Sequence, residues 1–128
     1  LMEIGSYFKE TQGTGILATS DSEGRVNAAI YARPHVMEDG SLAFIMPDRL
    51  THQNLASNSY ATYLFIEEGA GYSGKRLYLK KVKEETDQNR IGELRRRSYS
   101  PEMEDKMKPL YLVHFGLEKE LPLVGNGE

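Results

Sequence analysis

The sequence predicts a mainly β chain: an antiparallel sheet of about six strands closing as a barrel, with three or four helices around it. Three observations carry this. Short runs of apolar, β-branched and aromatic residues recur along the 128 residues. Turn residues separate most of these runs by a few positions, which favours hairpins over long crossovers. The helical stretches interrupt the strand series instead of alternating with it, which argues against a doubly wound α/β fold. The length suits one domain over residues 1–128, large enough to bury a core.

Residues 2–11 carry Ile4, Tyr7 and Phe8 at helical spacing and predict a short first helix, ended by Gly13 and Gly15. GILATS (15–20) reads as a strand and DSEG (21–24) as a turn. RVNAAIYAR (25–33) alternates, with Val26, Ala28, Ile30 and Ala32 on one face and Asn27, Ala29, Tyr31 and Arg33 on the other. Glu38-Asp39-Gly40 is a turn, and SLAFIM (41–46) is apolar enough to be buried on both faces.

Asp48 to Asn58 predicts a helix, with Asp48 placed to cap its first turn. ATYLFIE (61–67) is a strand, and RLYLKKVKEE (76–85) is one with a solvated far end. Asp87 can cap a helix running to Ser98, with Ile91, Leu94 and Ser98 on one side. Ser100-Pro101 resembles a further helix start, closed by Pro109, and LYLVHFGL (110–117) is the last strand.

Composition narrows the function classes. Charged residues make 27% and apolar ones 39%, the balance of a soluble globular chain. A net charge of −3 argues against general nucleic-acid affinity, though a local basic pocket remains compatible with it. There is no cysteine, so disulfides, zinc–thiolate sites, iron–sulfur clusters and thiol catalysis are excluded. That fits a reducing, cytoplasmic setting. The longest apolar runs fall far short of a membrane span, and LMEIGSYFKE lacks the pattern of a signal peptide.

Several motifs have bland readings. GAGYSG (69–74) matches G-x-G-x-x-G, but a strand-like stretch follows where the dinucleotide fingerprint needs a helix, so a hairpin loop is expected. His35, His52 and His114 show no ligand spacing, and no metal site is expected. Arg95-Arg96-Arg97 reads as a solvated helix face, with a binding patch as the rival. PDRLTHQN (47–54) differs in kind. It concentrates Asp48, Arg49, Thr51, His52 and Asn54 where a strand gives way to a helix. A helix start with unpaired amides, a guanidinium and a hydroxyl can bind a dianion, and it can equally be a plain capped helix.

The succession of an opening helix, GILATSDSEGRVNAAIYAR (15–33) and EDGSLAFIMPDRLTHQNLASNSYATYLFIEE (38–68) resembles the FMN-binding split-barrel flavoproteins related to pyridoxamine 5'-phosphate oxidase. The likeness covers most of residues 2–85, with the strand at 110–117 in its expected place. It implies a homodimer of six-stranded split barrels, with FMN in clefts between subunits. Carried over by position, Arg49 pairs with the FMN phosphate and Thr51 donates a hydroxyl. Leu50 lies in the same turn, and Asn54 supports it or reaches a cofactor oxygen. The flavin ring lies against Ala29, Ile30, Tyr31, Ala32 and Arg33 and against Phe44, Ile45 and Met46, where small Ala29 and Ala32 admit a flat ring. Arg76 reaches across from the partner subunit.

Pyridoxamine 5'-phosphate oxidase itself has consecutive basic residues at this turn, where this chain has Leu50 and Thr51. Its substrate-binding carboxyl-terminal segment has no counterpart in LPLVGNGE, so its substrate does not carry over. The implied function is an FMN-dependent oxidoreductase or electron carrier acting with a small-molecule donor or acceptor. No acid–base pair stands out; Tyr31 and His35 are the nearest candidates. A flavin- or haem-binding storage or sensor protein is the alternative.

Overall fold

In the computed structural model, residues 3–69, 71–98 and 109–125 are described, with the side chains of residues 96–98 left aside. The elements in chain order are α1 (Ile4–Glu10), β1 (Gly13–Ser20), β2 (Val26–Ile30), β3 (His35–Val36), β4 (Leu42–Pro47), α2 (Leu50–Ser57), β5 (Tyr60–Glu67), β6 (Gly74–Glu85), α3 (Gln88–Ser98) and β7 (Leu110–Pro122). The helix start expected at Ser100-Pro101 lies outside the described residues. All seven strands form one antiparallel sheet, in the order β2-β1-β5-β6-β7-β4-β3.

The sheet has seven strands where six were expected. The extra one is β3, two residues long and paired only through His35–Ala43 and Val36–Leu42, too short for any periodicity. β7 continues five residues past the predicted end at 117, because Lys119 to Pro122 pair with Tyr78 to Lys75 and keep a charged segment extended. Gly24 and Gly40 hold positive φ, 85° and 87°, in the turns that join β1 to β2 and β3 to β4. The G-x-G-x-x-G stretch runs directly into β6, as the hairpin reading required.

The sheet curls on itself. Tyr31, just beyond edge strand β2, meets Phe44 of β4, a strand to which β2 is not hydrogen-bonded, edge-on at 6.1 Å, and Phe44 touches Tyr63 of β5 at 5.0 Å. α1 closes one end, with Tyr7 and Phe8 packed on Phe65 and Phe8 on Tyr63. The apolar run of β4 is buried on both faces, for a visible reason. Leu42, Phe44 and Met46 point into the barrel core, while Ala43 and Ile45 pack with Leu110 and Leu112 under Ile91 and Leu94 of α3. Because β2 and β4 do not pair, a seam remains between them.

α2 lies across this seam. The buried Asn54 Nδ2 donates to Thr19 Oγ1 of β1 at 3.1 Å. His52 stacks on Tyr111 at 4.0 Å and sits with Nδ1 2.8 Å from Asp48 Oδ1 and Nε2 3.1 Å from Glu84 Oε1 of β6. Asp48 thus pairs with His52 instead of capping α2 as expected. The N-cap is Arg49, in extended conformation and without a side-chain cap. Asp87 does cap α3, accepting from the amides of Asn89 and Arg90.

Burial pushes the Glu84 carboxyl up, but the hydrogen bond and charge of Lys81 and the charge of His52 outweigh it and hold its pKa below the ordinary 4.5. A depressed folded-state pKa stabilises the fold above the unfolded value, and that contribution is lost as pH falls through the folded value. Unfolding midpoints measured from neutral pH down to about pH 4 and below should therefore fall less steeply for Glu84→Gln than for the parent. Identical pH dependence in the two proteins would refute this role.

Candidate functional site

A cleft of about 630 Å³ opens at the seam. One wall is β2 and the residues after it, Asn27 and Ala29 to Ala32, backed by Gly13, Thr14 and Gly15 of β1. The opposite wall is Ile45 and Pro47 of β4 with Leu110 of β7. Arg49, Leu50 and Thr51 at the start of α2 and Arg95 of α3 complete it. Its size is that of a small-molecule or cofactor site, and its walls are mainly apolar with a few polar groups.

The ends of the cleft differ. At one, Gly15 lies so close to its neighbours that a Cβ there would overlap the Tyr63 hydroxyl and sit 2.7 Å from the Tyr31 carbonyl oxygen. Tyr63 donates to that carbonyl at 3.0 Å, which fixes the wall. At the other end, Asn27 Nδ2 donates a long 3.4 Å hydrogen bond to Thr51 Oγ1, and Pro47 pairs with Leu110. There the chain turns from β4 into α2.

This second end has a cationic character built from several parts. The first amides of a helix lack intrahelical partners and carry partial positive charge. In α2 no side chain caps them, and the first turn contains no acidic residue. Among the described residues the Arg49 guanidinium has no hydrogen-bond or ion-pair partner. Thr51 is buried, with a hydroxyl still able to donate.

Eight of the thirteen residues named from the sequence come together here: Ala29, Ile30, Tyr31, Ala32, Ile45, Arg49, Leu50 and Thr51. The other five lie elsewhere in this chain. Phe44 and Met46, on either side of Ile45 on the strand, point the other way into the barrel core. Arg33 donates from Nη1 to the carbonyls of Phe8 and Thr11 at 2.8 and 2.9 Å, tying β2 to α1. Asn54 braces α2 against β1 from below. Arg76 donates to the carbonyls of Pro122 and Gly125 at 2.8 and 3.0 Å.

Sequence reasoning missed two contributions. Gly13 to Gly15 line the cleft because β1 pairs beside β2, a neighbour relation that no local pattern shows. Arg95 belongs to the run read as a solvated face, yet it is only 8% exposed and lines the cleft. A signal for it existed: Ile91, Leu94 and Arg95 fall at i, i+3 and i+4, the spacing of one helix face.

Among the described residues no carboxylate or imidazole lines the cleft, and no group of His, Asp and Glu can hold a metal ion. None of the described helices is long and apolar enough to cross a membrane.

No family model and no curated protein matches the sequence. Solved structures do match its fold. An FMN-binding protein from Syntrophomonas wolfei subsp. wolfei superimposes with a TM-score of 0.74 at 17% identity, covering 94% of this chain and 84% of that one. An F420 reductase gives 0.71 at 18% identity, covering 94% and 98%. A candidate pyridoxamine 5'-phosphate oxidase from Lactobacillus delbrueckii gives 0.66 at 14% identity, covering 94% and 93%. A curled antiparallel sheet, a cleft at its seam and these likenesses agree: the chain has the split-barrel fold of the pyridoxamine 5'-phosphate oxidase-like proteins.

Proposed function

We propose that the cleft binds FMN, and that the protein is an FMN-dependent oxidoreductase or electron carrier serving a small-molecule electron donor or acceptor. The observation that carries this reading is the start of α2: amides with no side-chain cap, an Arg49 guanidinium without a partner among the described residues and the buried Thr51 hydroxyl, all at one end of a cleft with apolar walls. A phosphate monoester supplies the charge and acceptor oxygens that these donors lack. Ala29, Ala32, Ile30 and Ile45 offer a planar ring close approach without polar competition.

Bound FMN supplies hydride or single-electron chemistry at its ring. The chain's own residues bind and orient. Arg49 and Thr51 anchor the phosphate, Leu50 covers the turn, and the apolar walls exclude water from the ring. With no carboxylate or imidazole in the described wall, the cleft suits electron or hydride exchange better than acid–base catalysis.

A histidine-ligated haem has no ligand in the cleft, since none of the three histidines lines it. His52 is held between Asp48 and Glu84, and His114 is buried with Nε2 2.6 Å from Glu85 Oε2. The structures of similar fold include proteins described as FMN-binding, as an F420 reductase and as haem-binding, so it is the lining of the cleft, not the neighbours, that supports the flavin reading.

The functional unit is read as a homodimer with Arg76 contributed across the interface. Apolar Val26 and Ile30 on edge strand β2 are 74% and 71% exposed beside the cleft, a surface suited to a second copy. Light scattering of the FMN-loaded protein should give twice the 14.5 kDa chain mass. A tight FMN complex at the mass of one chain would contradict the two-chain cleft.

The central test compares FMN with riboflavin, which lacks the phosphate. Arg49→Ala should weaken FMN binding by about 1.5–3 kcal/mol and leave riboflavin nearly unchanged, followed by quenching of flavin fluorescence. Undiminished FMN affinity in this variant would remove Arg49 from the phosphate site.

A further inference from the structure

We infer that His52 is a positioning residue of the phosphate site: it holds the Asp48 carboxylate away from Arg49 and from the first amides of α2, and so keeps the chain from filling that site with its own anion. The inference rests on the flavin reading for the identity of the ligand, but the contacts that carry it do not.

Asp48 stands directly before Arg49, the N-cap of α2. A carboxylate in this place has two attractive partners close by: the guanidinium next to it in the chain and the unpaired amides of the first helical turn. It takes neither. Among the described residues its one hydrogen bond is with His52, whose Nδ1 lies 2.8 Å from Asp48 Oδ1. No side chain caps α2, and Arg49 has no partner among the described residues. Both chain neighbours of Asp48, Pro47 and Arg49, line the cleft, and Asp48 does not. An acid and a base adjacent in sequence thus stand apart, with the base at the cleft and the acid turned from it.

His52 can impose this separation because it is held from two further sides. Nε2 lies 3.1 Å from Glu84 Oε1 of β6, and the ring stacks on Tyr111 of β7 at 4.0 Å. Its side chain is 13% exposed, so the ring has little room to swing. Carboxylates only accept, and the arrangement is satisfied when both ring nitrogens donate. The ring then also offsets the Asp48 charge beside a site meant for a dianion. Without that nitrogen, the Asp48 carboxylate is free to turn to Arg49 or to the uncapped amides. Either contact uses donors that a phosphate monoester needs and adds a repelling charge.

The test uses the whole protein and two readouts: flavin fluorescence with FMN and riboflavin, and the unfolding midpoint with added inorganic phosphate. His52→Phe keeps a ring against Tyr111 and removes the nitrogens. It should raise the FMN Kd roughly tenfold and leave the riboflavin Kd unchanged. Adding Asp48→Asn to that variant should restore FMN affinity, since the competing anion is gone. If His52→Phe does not fold, His52→Gln with and without Asp48→Asn gives the same comparison. FMN binding equal to the parent's in the single variant would overturn the inference and leave the flavin reading standing. Equal weakening of FMN and riboflavin, or a loss that Asp48→Asn does not restore, would overturn it too, since a merely structural histidine behaves so. If the parent binds neither flavin, the flavin reading falls and phosphate decides: stabilisation by phosphate that is lost in His52→Phe and regained with Asp48→Asn upholds the role of His52, and any other pattern ends it.

Discussion

The site depends on how β4 ends. Its first five residues, Leu42 to Met46, are buried on one face by the barrel core and on the other by α3, so the strand cannot shift register without exposing one apolar set. Pro47 closes the strand, and Arg49 stays extended before the helix begins. That conformation sends α2 across the seam with its first amides at the cleft. Asp48, the residue best suited to cap those amides, is held by His52 instead. An anion site is left where a capped helix end would otherwise stand.

The same constraint organises the rest. α2 is fastened at three points: Asn54 to Thr19, His52 to Glu84, and His52 against Tyr111. These contacts reach β1, β6 and β7, so the helix start is referenced to three strands of the sheet. The opposite wall is equally fixed, because Gly15 admits the Tyr63 hydroxyl that holds the Tyr31 carbonyl. Both ends of the cleft are therefore set by buried contacts, and the apolar middle between them is shaped by small side chains. Such preorganisation lowers the ordering cost of binding a rigid, flat ligand.

Much of this was legible in the residues. Alternation in RVNAAIYAR and the apolar run SLAFIM placed β2 and β4, and turn residues placed the hairpins. Most of the cleft residues named from the resemblance do meet in space, since they lie on those strands and on the turn after β4. What was hidden is what depends on neighbours distant in the chain. β3 is too short for any pattern, and the charged half of β7 is extended only because β6 pairs with it. Met46 shows the limit of naming a strand as a unit: period two sends it to the core while Ile45 faces α3 and the cleft. Arg95 shows the converse. Three consecutive arginines read as solvated charge, but helix geometry sets the first beneath Ile91 and into the wall.

The most direct measurement is a crystal structure of the protein grown with FMN. The account predicts density for a phosphate at the start of α2, within hydrogen-bond reach of Arg49 and the Thr51 hydroxyl, and a flat ring along Ala29 to Ala32. A flavin seated with its phosphate at the Gly13–Tyr31 end, or on another face of the barrel, would contradict it.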